Sequence, residues 1–172
     1  EQEQIDLRVR STDIRLGMVE GMTTRLTEVK GTLQADVHLT GAGADPHLEG
    51  YVDIKGGAFR VPAGGVAYSG LDTRIELTPD SVRVQSFTIR DEHGSPLNVS
   101  GEIAVHARQV GAINISLQAT DFEVIDNELG DVGLDALLSI GGEFLRPRVV
   151  GDIRVTTGRV ELDRVLQLFY DP

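Results

Sequence analysis

The segment VKGTLQADVHLTGAGADPHLEGYVDIKGGAFRV, residues Val29–Val61, contains the pattern that decides the fold. Over Val29–Thr40 the odd positions are apolar or glycine, and the even positions are polar or charged. Side chains two residues apart in a strand lie on the same face of a sheet. The segment therefore predicts a long strand with one apolar and one solvated face, and the same alternation returns over 97–107 and 113–120.

The turn residues of this segment return about a hundred residues later, in GGEFLRPRVVGDIRVTTGRVEL. At a constant offset of 101 residues, the corresponding pairs are Gly41 and Gly142, Pro46 and Pro147, Gly50 and Gly151, and Gly57 and Gly158. Two hairpins with the same spacing indicate that one structural unit is used twice, near 31–61 and near 132–162.

Shorter apolar runs predict further strands, so the chain is expected to be all-β. These strands are Ile5–Val9, Ile14–Leu16, Leu48–Ile54, Phe59–Val61, Ile75–Leu77, Val82–Ile89, Leu134–Ile140 and Val149–Val155. Glycine-containing turns are expected at 55–57 and 156–158, and a bulge is expected at Gln85–Ser86, where the apolar parity changes. Helical spacing is confined to a short C-terminal helix over 162–169 and one irregular turn within 13–29.

Many antiparallel strands could form a sandwich, a barrel or one continuous sheet. The repeat favours a continuous, elongated sheet that grows by adding units. Glycines on the apolar parity, at Gly31, Gly50, Gly101 and Gly151, favour strong curvature around that face. We therefore predict a taco-like antiparallel sheet, open along one side, with an apolar concave face.

Composition and charge exclude several classes of function. The chain has 172 residues, a formal net charge of −11 and no cysteine. This charge disfavours binding to nucleic acid and to anionic lipid surfaces at long range, and the absence of cysteine excludes thiol catalysis and thiolate metal sites. The sequence contains no apolar run long enough for a membrane-spanning helix and no signal peptide, so an export signal or anchor is expected outside this chain.

No motif points to catalysis, a cofactor or a metal. The four histidines do not cluster, and the acidic turn 126–131 lacks the ligand spacing of a calcium-binding loop. The glycine-rich stretch 62–70 lacks the Lys-Ser/Thr ending of a phosphate-binding loop, and no serine lies in a nucleophile-elbow pattern. We therefore predict a protein that is not an enzyme and that binds neither a metal nor a cofactor.

The apolar face itself allows two interpretations. It is either a dry core between two layers of sheet or the lining of a groove that holds acyl chains. At about 25 cal/mol per Å², a few hundred Å² of exposed apolar surface would forfeit several kcal/mol. A groove must therefore be narrow, nearly closed or filled with ligand.

Residues 31–105 resemble the C-terminal region of TamB, within the AsmA-like group. The resemblance rests on the motif Gly-x-x-x-x-Pro-x-Leu-x-Gly at 41–50, the sequence GAFRVP at 57–62, YSGL at 68–71 and DEHGSPL at 91–97. The unit P-x-V-x-G-x-I-x-V-x-x-G at 147–158 continues the pattern, so most of the chain is covered.

That family implies a non-enzymatic segment whose apolar groove carries phospholipid acyl chains between the inner and outer membranes. The resemblance implies that the groove is lined by Val37, Leu39, Val52, Ile54, Leu97, Val99, Ile103, Val105, Ile113, Ile115, Leu117, Leu138, Ile140, Ile153 and Val155. It also implies one segment, 1–172, of a longer periplasmic protein that is anchored in the inner membrane by a part not included here.

A second function is also compatible with the resemblance. The chain would then be a scaffold for inserting outer-membrane β-barrel proteins, and it would pair its strand edges with nascent strands or with an Omp85-type, TamA-like barrel. Contact of this segment with such a barrel is expected only through the full-length protein.

Overall fold

The computed structural model describes residues 4–42, 45–106 and 109–160, and the predicted C-terminal helix lies outside these ranges. The described chain forms nine antiparallel strands in one sheet, in sequential order. The strands are β1 (Gln4–Arg15), β2 (Thr27–Ala42), β3 (Asp45–Val61), β4 (Val66–Thr78), β5 (Ser81–Arg90), β6 (Pro96–His106), β7 (Gln109–Asn127), β8 (Gly130–Glu143) and β9 (Arg146–Val160). The sheet is not closed into a barrel, so the all-β, single-sheet prediction is confirmed.

Between β1 and β2 lies a 3₁₀ helix, Leu16–Met22, where the sequence predicted an irregular turn. The first two predicted strands are one strand, β1, which continues through a register shift between Ser11 and Ile14. Asp13 takes a positive φ of 56° within this shift. The predicted gap between the two strands is therefore a bulge within β1, because β1 pairs with β2 on both sides of the shift.

The predicted turns at 55–57 and 156–158 are wrong in the same way. β3 and β9 run through these positions, and the register shifts lie between Ile54 and Gly57 and between Gly133 and Leu134. Pairing with a neighbouring strand resumes after each shift, so the extra residues bulge and do not reverse the chain. The predicted bulge at Gln85–Ser86 is confirmed, since β5 shifts register there against β6.

The two hairpins predicted to be equivalent share their register. Val37 faces Gly50 in β2–β3, and Leu138 faces Gly151 in β8–β9, again at an offset of 101 residues. Gly50 and Gly151 have φ values of 134° and 148°. A Cβ at Gly50 would collide with the carbonyl oxygen of Asp36, and a Cβ at Gly151 with that of Leu137. Both positions therefore require glycine for the same reason.

The core lies at one end of the sheet. Its buried apolar members are Val66, Tyr68, Leu71, Ile89, Ala119, Phe122 and Ala136, with half-buried neighbours that include Phe59, Phe87 and Leu134. These side chains come from β3 to β8, so the sheet must curve around its apolar face at this end.

Candidate functional site

The candidate site is the apolar face of the sheet, because the register aligns one position per strand into continuous rows. Residues directly opposite each other in antiparallel strands share a face. The first row is Val9, Val37, Gly50, Leu77, Val82, Ile103, Ile113, Gly142 and Pro147; the second is Ser11, Ala35, Val52, Ile75, Val84, Gly101, Ile115, Ile140 and Val149; the third is Ile14, Leu33, Ile54, Thr73, Phe87, Val99, Leu117, Leu138 and Gly151.

The predicted lining residues all fall on this face. Most lie in the three rows: Val37, Val52, Ile54, Val99, Ile103, Ile113, Ile115, Leu117, Leu138 and Ile140. The others lie in flanking rows: Leu39 faces Leu48, Leu97 faces Ala119, Ile153 faces Ala136 and Val155 faces Leu134. Val105 lies two residues after Ile103 on β6 and so has the same parity. The structure thus brings the predicted residues onto one surface, and their contact with lipid stays a prediction.

Exposure of this face increases from the middle of the sheet towards its two margins. Ile113 on β7 is 9% exposed. On the marginal strands, Val9 of β1 is 53% exposed, and Ile153 and Val155 of β9 are 62% and 60% exposed. Apolar side chains of the same face are therefore packed in the centre and accessible at both edges.

At one end of the sheet, β4 and β7 meet across the apolar face. The Tyr68 hydroxyl donates to the carbonyl oxygen of Glu123 at 3.0 Å, and the Tyr68 ring stacks on Phe122 with centroids 5.2 Å apart. Next to them, the backbone N–H of Asp126 donates to the carbonyl oxygen of Gly64 at 2.7 Å. These contacts close this end of the apolar face.

The buried carboxylate of Asp91, which is 3% exposed, holds two segments together at the closed end. Its Oδ1 accepts hydrogen bonds from the N–H groups of His93 and Ser95, and its Oδ2 accepts one from the N–H of Glu123 at 2.9 Å. The carboxylate thereby joins the β5–β6 loop to β7. Sequence reasoning missed this link, because the long-range hydrogen-bond donor to Asp91 is not visible in a local pattern.

The Glu123 side chain is buried beside other acidic groups. Burial raises the pKa of this carboxyl above its ordinary value of 4.5, and the nearby carboxylates of Asp126, Asp131 and Asp91 raise it further. His93 acts in the opposite direction, with its Nδ1 3.4 Å from Glu123 Oε2. The closed end therefore contains a carboxyl group that is costly to ionise.

Two hydroxyl groups interrupt the otherwise apolar rows. Ser11 and Thr73 carry buried side-chain oxygens with no hydrogen-bond partner among the described residues. Thr73 is 7% exposed and lies between Ile54 and Phe87 in the third row. Sequence reasoning did not single out either residue, since threonine is frequent in strands of any environment.

The opposite face of the sheet is polar and rich in ion pairs. Arg8 makes a bidentate contact with Asp36, with both N···O distances 2.8 Å, and this contact lowers the pKa of the Asp36 carboxyl. Arg83 pairs with Glu102 at 3.1 Å in the same cross-strand manner. The alternation read from the sequence thus separates a solvated face from an apolar one.

The histidines and the acidic turn do not assemble a metal site in the described part of the chain. His38 Nε2 lies 2.7 Å from Asp6 Oδ1 on the polar face. Residues 126–131 form the β7–β8 hairpin, whose turn is Glu128–Leu129. No group of three or more histidine and acidic side chains among residues 4–42, 45–106 and 109–160 is arranged to hold a metal ion.

The family model of the TamB C-terminal domain matches residues 83–168, which is half of the chain. The chain belongs to the TamB C-terminal domain family. The resemblance inferred from the motifs of 31–105 is thereby confirmed by a match that extends over β6 to β9. No significant match to the chain was found among curated proteins or among solved structures.

Membership in the TamB family implies an envelope-associated protein, and this family is not a family of enzymes. In the portion of the chain that the structure describes, no helix has the length and apolarity needed to cross a membrane.

Proposed function

We propose that this chain is a non-enzymatic, periplasmic segment of a TamB-like protein, and that its apolar face carries phospholipid acyl chains between the inner and outer membranes. The observation that supports this proposal is the alignment of apolar positions into rows that cross all nine strands. An anchor in the inner membrane would be supplied by another part of the protein.

The physical chemistry of such a face suits transport better than storage. Acyl chains are held by hydrophobic burial, which is not directional and scales with the apolar area removed from water. A surface made mostly of Val, Ile and Leu side chains, with no charged residue in its three rows, offers many nearly equivalent positions. A lipid can therefore move along it without meeting one deep energy minimum.

Photocrosslinking tests the proposal at neighbouring residues of opposite parity. A photoreactive residue at Val99 or Ile115 should capture phospholipid in cells, because both positions lie on the apolar face. The matched controls are Ser100 and Ser116, which follow them in sequence and are exposed. Capture from the serine positions alone, or from none of the four, would contradict acyl-chain binding by this face.

A second function, strand pairing with a barrel protein, is favoured by the edges of the sheet. Within the described residues, β1 and β9 each pair with a strand on one side only. An unpaired edge offers backbone N–H and C=O groups to an incoming strand, such as a nascent barrel strand or an Omp85-type, TamA-like partner.

Substitutions in β9 distinguish the two functions. Val150→Pro removes a backbone donor from the edge strand and should abolish binding of a barrel partner if strand pairing is the function. Ile153→Asp places a charge on the apolar face and should instead impair lipid capture. Loss of partner binding in Ile153→Asp, together with full partner binding in Val150→Pro, would rule out strand pairing as the function.

A further inference from the structure

The tip of the β8–β9 hairpin carries two exposed apolar side chains, and Leu145 is the most exposed of the large hydrophobic residues in the described part of the chain. Leu145 is 87% exposed and Phe144 is 44% exposed at the two-residue turn. The turn is held in place, because the N–H of Phe144 donates to the carbonyl oxygen of Gly111 at 3.0 Å. The exposure of these side chains is therefore a property of an anchored turn.

Arginines follow the turn directly. Arg146 and Arg148 begin β9 and are exposed, and they lie two residues apart on one face, about 7 Å from each other. Arg146 faces Glu143 in the register, but neither arginine forms an ion pair with a described acidic side chain. On β1, by contrast, Arg8 and Arg10 both contact Asp36.

The equivalent hairpin shows that this tip is not a requirement of the fold. At an offset of 101 residues, Phe-Leu-Arg-Pro-Arg of 144–148 corresponds to Gly-Ala-Asp-Pro-His of 43–47. The proline is kept, whereas two small residues become large apolar ones and an acidic residue becomes basic. The register of the two hairpins is nevertheless the same.

We propose that the β8–β9 tip docks on an anionic phospholipid surface, with Phe144 and Leu145 entering the acyl boundary and Arg146 and Arg148 binding lipid phosphates. Exposed apolar side chains beside arginines match the two layers of a membrane interface. Guanidinium groups bind phosphate oxygens in bidentate fashion. The net charge of −11 does not prevent this contact, because salt at 0.1 M screens charges that lie farther than about 10 Å from the arginines. The attraction between the tip and the lipid phosphates is therefore local.

This docking site rests on the proposed function, because it would place a bilayer next to the apolar face. The first row ends at Gly142 and Pro147, and the second ends at Ile140 and Val149, all beside the tip. A lipid leaving the bilayer at the tip would meet the exposed Val149 next. The tip is thus a point where lipids enter or leave the sheet.

Co-sedimentation of the purified chain with vesicles tests the proposal. Vesicles of phosphatidylglycerol and phosphatidylcholine should bind the chain more strongly than vesicles of phosphatidylcholine alone, and added salt should weaken the difference. R146Q/R148Q should lower partitioning by about 5-fold for each arginine. F144G/L145A should lower it by roughly 10-fold, because the apolar insertion is lost.

Two further variants test whether vesicle binding depends on the tip itself or on the positive charge of β9 in general. R154Q/R159Q removes the same charge from the far part of β9 and should bind vesicles nearly as well as the wild type. The graft F144G/L145A/R146D/R148H carries the residues of the equivalent hairpin, so it should fold and yet not bind. Equal binding by the graft and the wild type, or an equal loss in R154Q/R159Q, would overturn the docking site.

Two readouts distinguish docking by the tip from acyl-chain binding by the apolar face. If the apolar face binds acyl chains but the tip does not dock, photocrosslinking at Val99 captures lipid, and the tip variants bind vesicles as well as the wild type does. If the tip docks but the face does not hold lipid, vesicle binding responds to the tip variants and Val99 captures nothing.

Discussion

The β2–β3 and β8–β9 hairpins have the same register and yet differ in burial. Leu33 faces Ile54 in the first hairpin, and Leu134 faces Val155 in the second. Ile54 packs against the buried cluster, whereas Val155 is 60% exposed. β3 pairs with β2 and β4, but β9 pairs only with β8 among the described strands. Local sequence therefore sets the pairing of a hairpin, and its position in the sheet sets how much of it is buried.

The largest expected effect on stability comes from the two equivalent glycines, Gly50 and Gly151. Gly50→Ala and Gly151→Ala each place a Cβ against a facing carbonyl oxygen at a positive φ. Gly50→Ala should lower the free energy of unfolding by about 3 kcal/mol, because β3 is held on both sides. Gly151→Ala should lower it by about 1 kcal/mol, since the edge strand can shift locally. Urea denaturation of both variants measures the difference.

A larger loss in Gly151→Ala than in Gly50→Ala would mean that the edge strand carries more of the stability than its single pairing indicates. The control is Gly94→Ala, because a Cβ at this loop glycine would meet no atom within 4 Å, although its φ is also positive. Strain from φ alone is then separated from strain that arises from the close approach of a strand.

Truncation on the apolar face comes next in size. Ile54→Ala should cost about 2 kcal/mol of unfolding free energy, because its neighbours cannot fill the space that is left. Val155→Ala should cost less than about 0.5 kcal/mol, since most of the side chain is in water. Both are measured by urea denaturation without lipid. A large loss in Val155→Ala would show that β9 is covered in solution.

The hydroxyl of Tyr68 provides a smaller test, at the end where the β3–β4 turn meets β7. Tyr68→Phe keeps the ring stack on Phe122 but removes the hydrogen bond to the carbonyl oxygen of Glu123. The free energy of unfolding should fall by about 1 kcal/mol. Tyr51→Phe is the matched control, because this ring lies on the polar face under the Arg74 guanidinium and can keep that contact. Equal losses in both variants would argue against a specific role of the closing bond.

The smallest expected effect concerns pH and the Glu123 carboxyl. Because burial raises the pKa of this group in the folded state, the folded state holds the proton more tightly than the unfolded state. Stability from this group is therefore present at low pH and is lost as the pH rises above 4.5 through the raised pKa. Glu123→Gln cannot ionise at this position. The urea midpoint of this variant should therefore exceed that of the wild type by an amount that increases as the pH rises through this range.

Two other carboxyl groups make the opposite contribution at lower pH. The pKa of Asp36 is lowered by Arg8, and the pKa of Glu102 is lowered by Ser81 and Arg83. Stability from these groups is lost as the pH falls below their ordinary values. The difference between Glu123→Gln and the wild type separates the two contributions, and a constant difference between pH 4.5 and pH 7 would contradict the raised pKa.

Much of the sheet and of the candidate site was predictable from parity. Positions such as Val99 and Ile115 could be assigned to the apolar face because a strand has a strict period of two residues. The closed end was not predictable, because Tyr68 and Glu123 are 55 residues apart in sequence and meet only when the sheet curves. The continuation of β3 through 55–57 was missed because glycine pairs indicate turns and bulges equally well.

The sequence by itself determined the strand period, the separation of polar from apolar face, and the equivalence of the two hairpins. These are local properties, since alternation and glycine positions act over a few residues along the chain. Only the tertiary structure decided which part of the apolar face is packed and which is exposed. That division depends on how β4 approaches β7 and on which strands have a neighbour on each side, and neither is encoded in a local pattern.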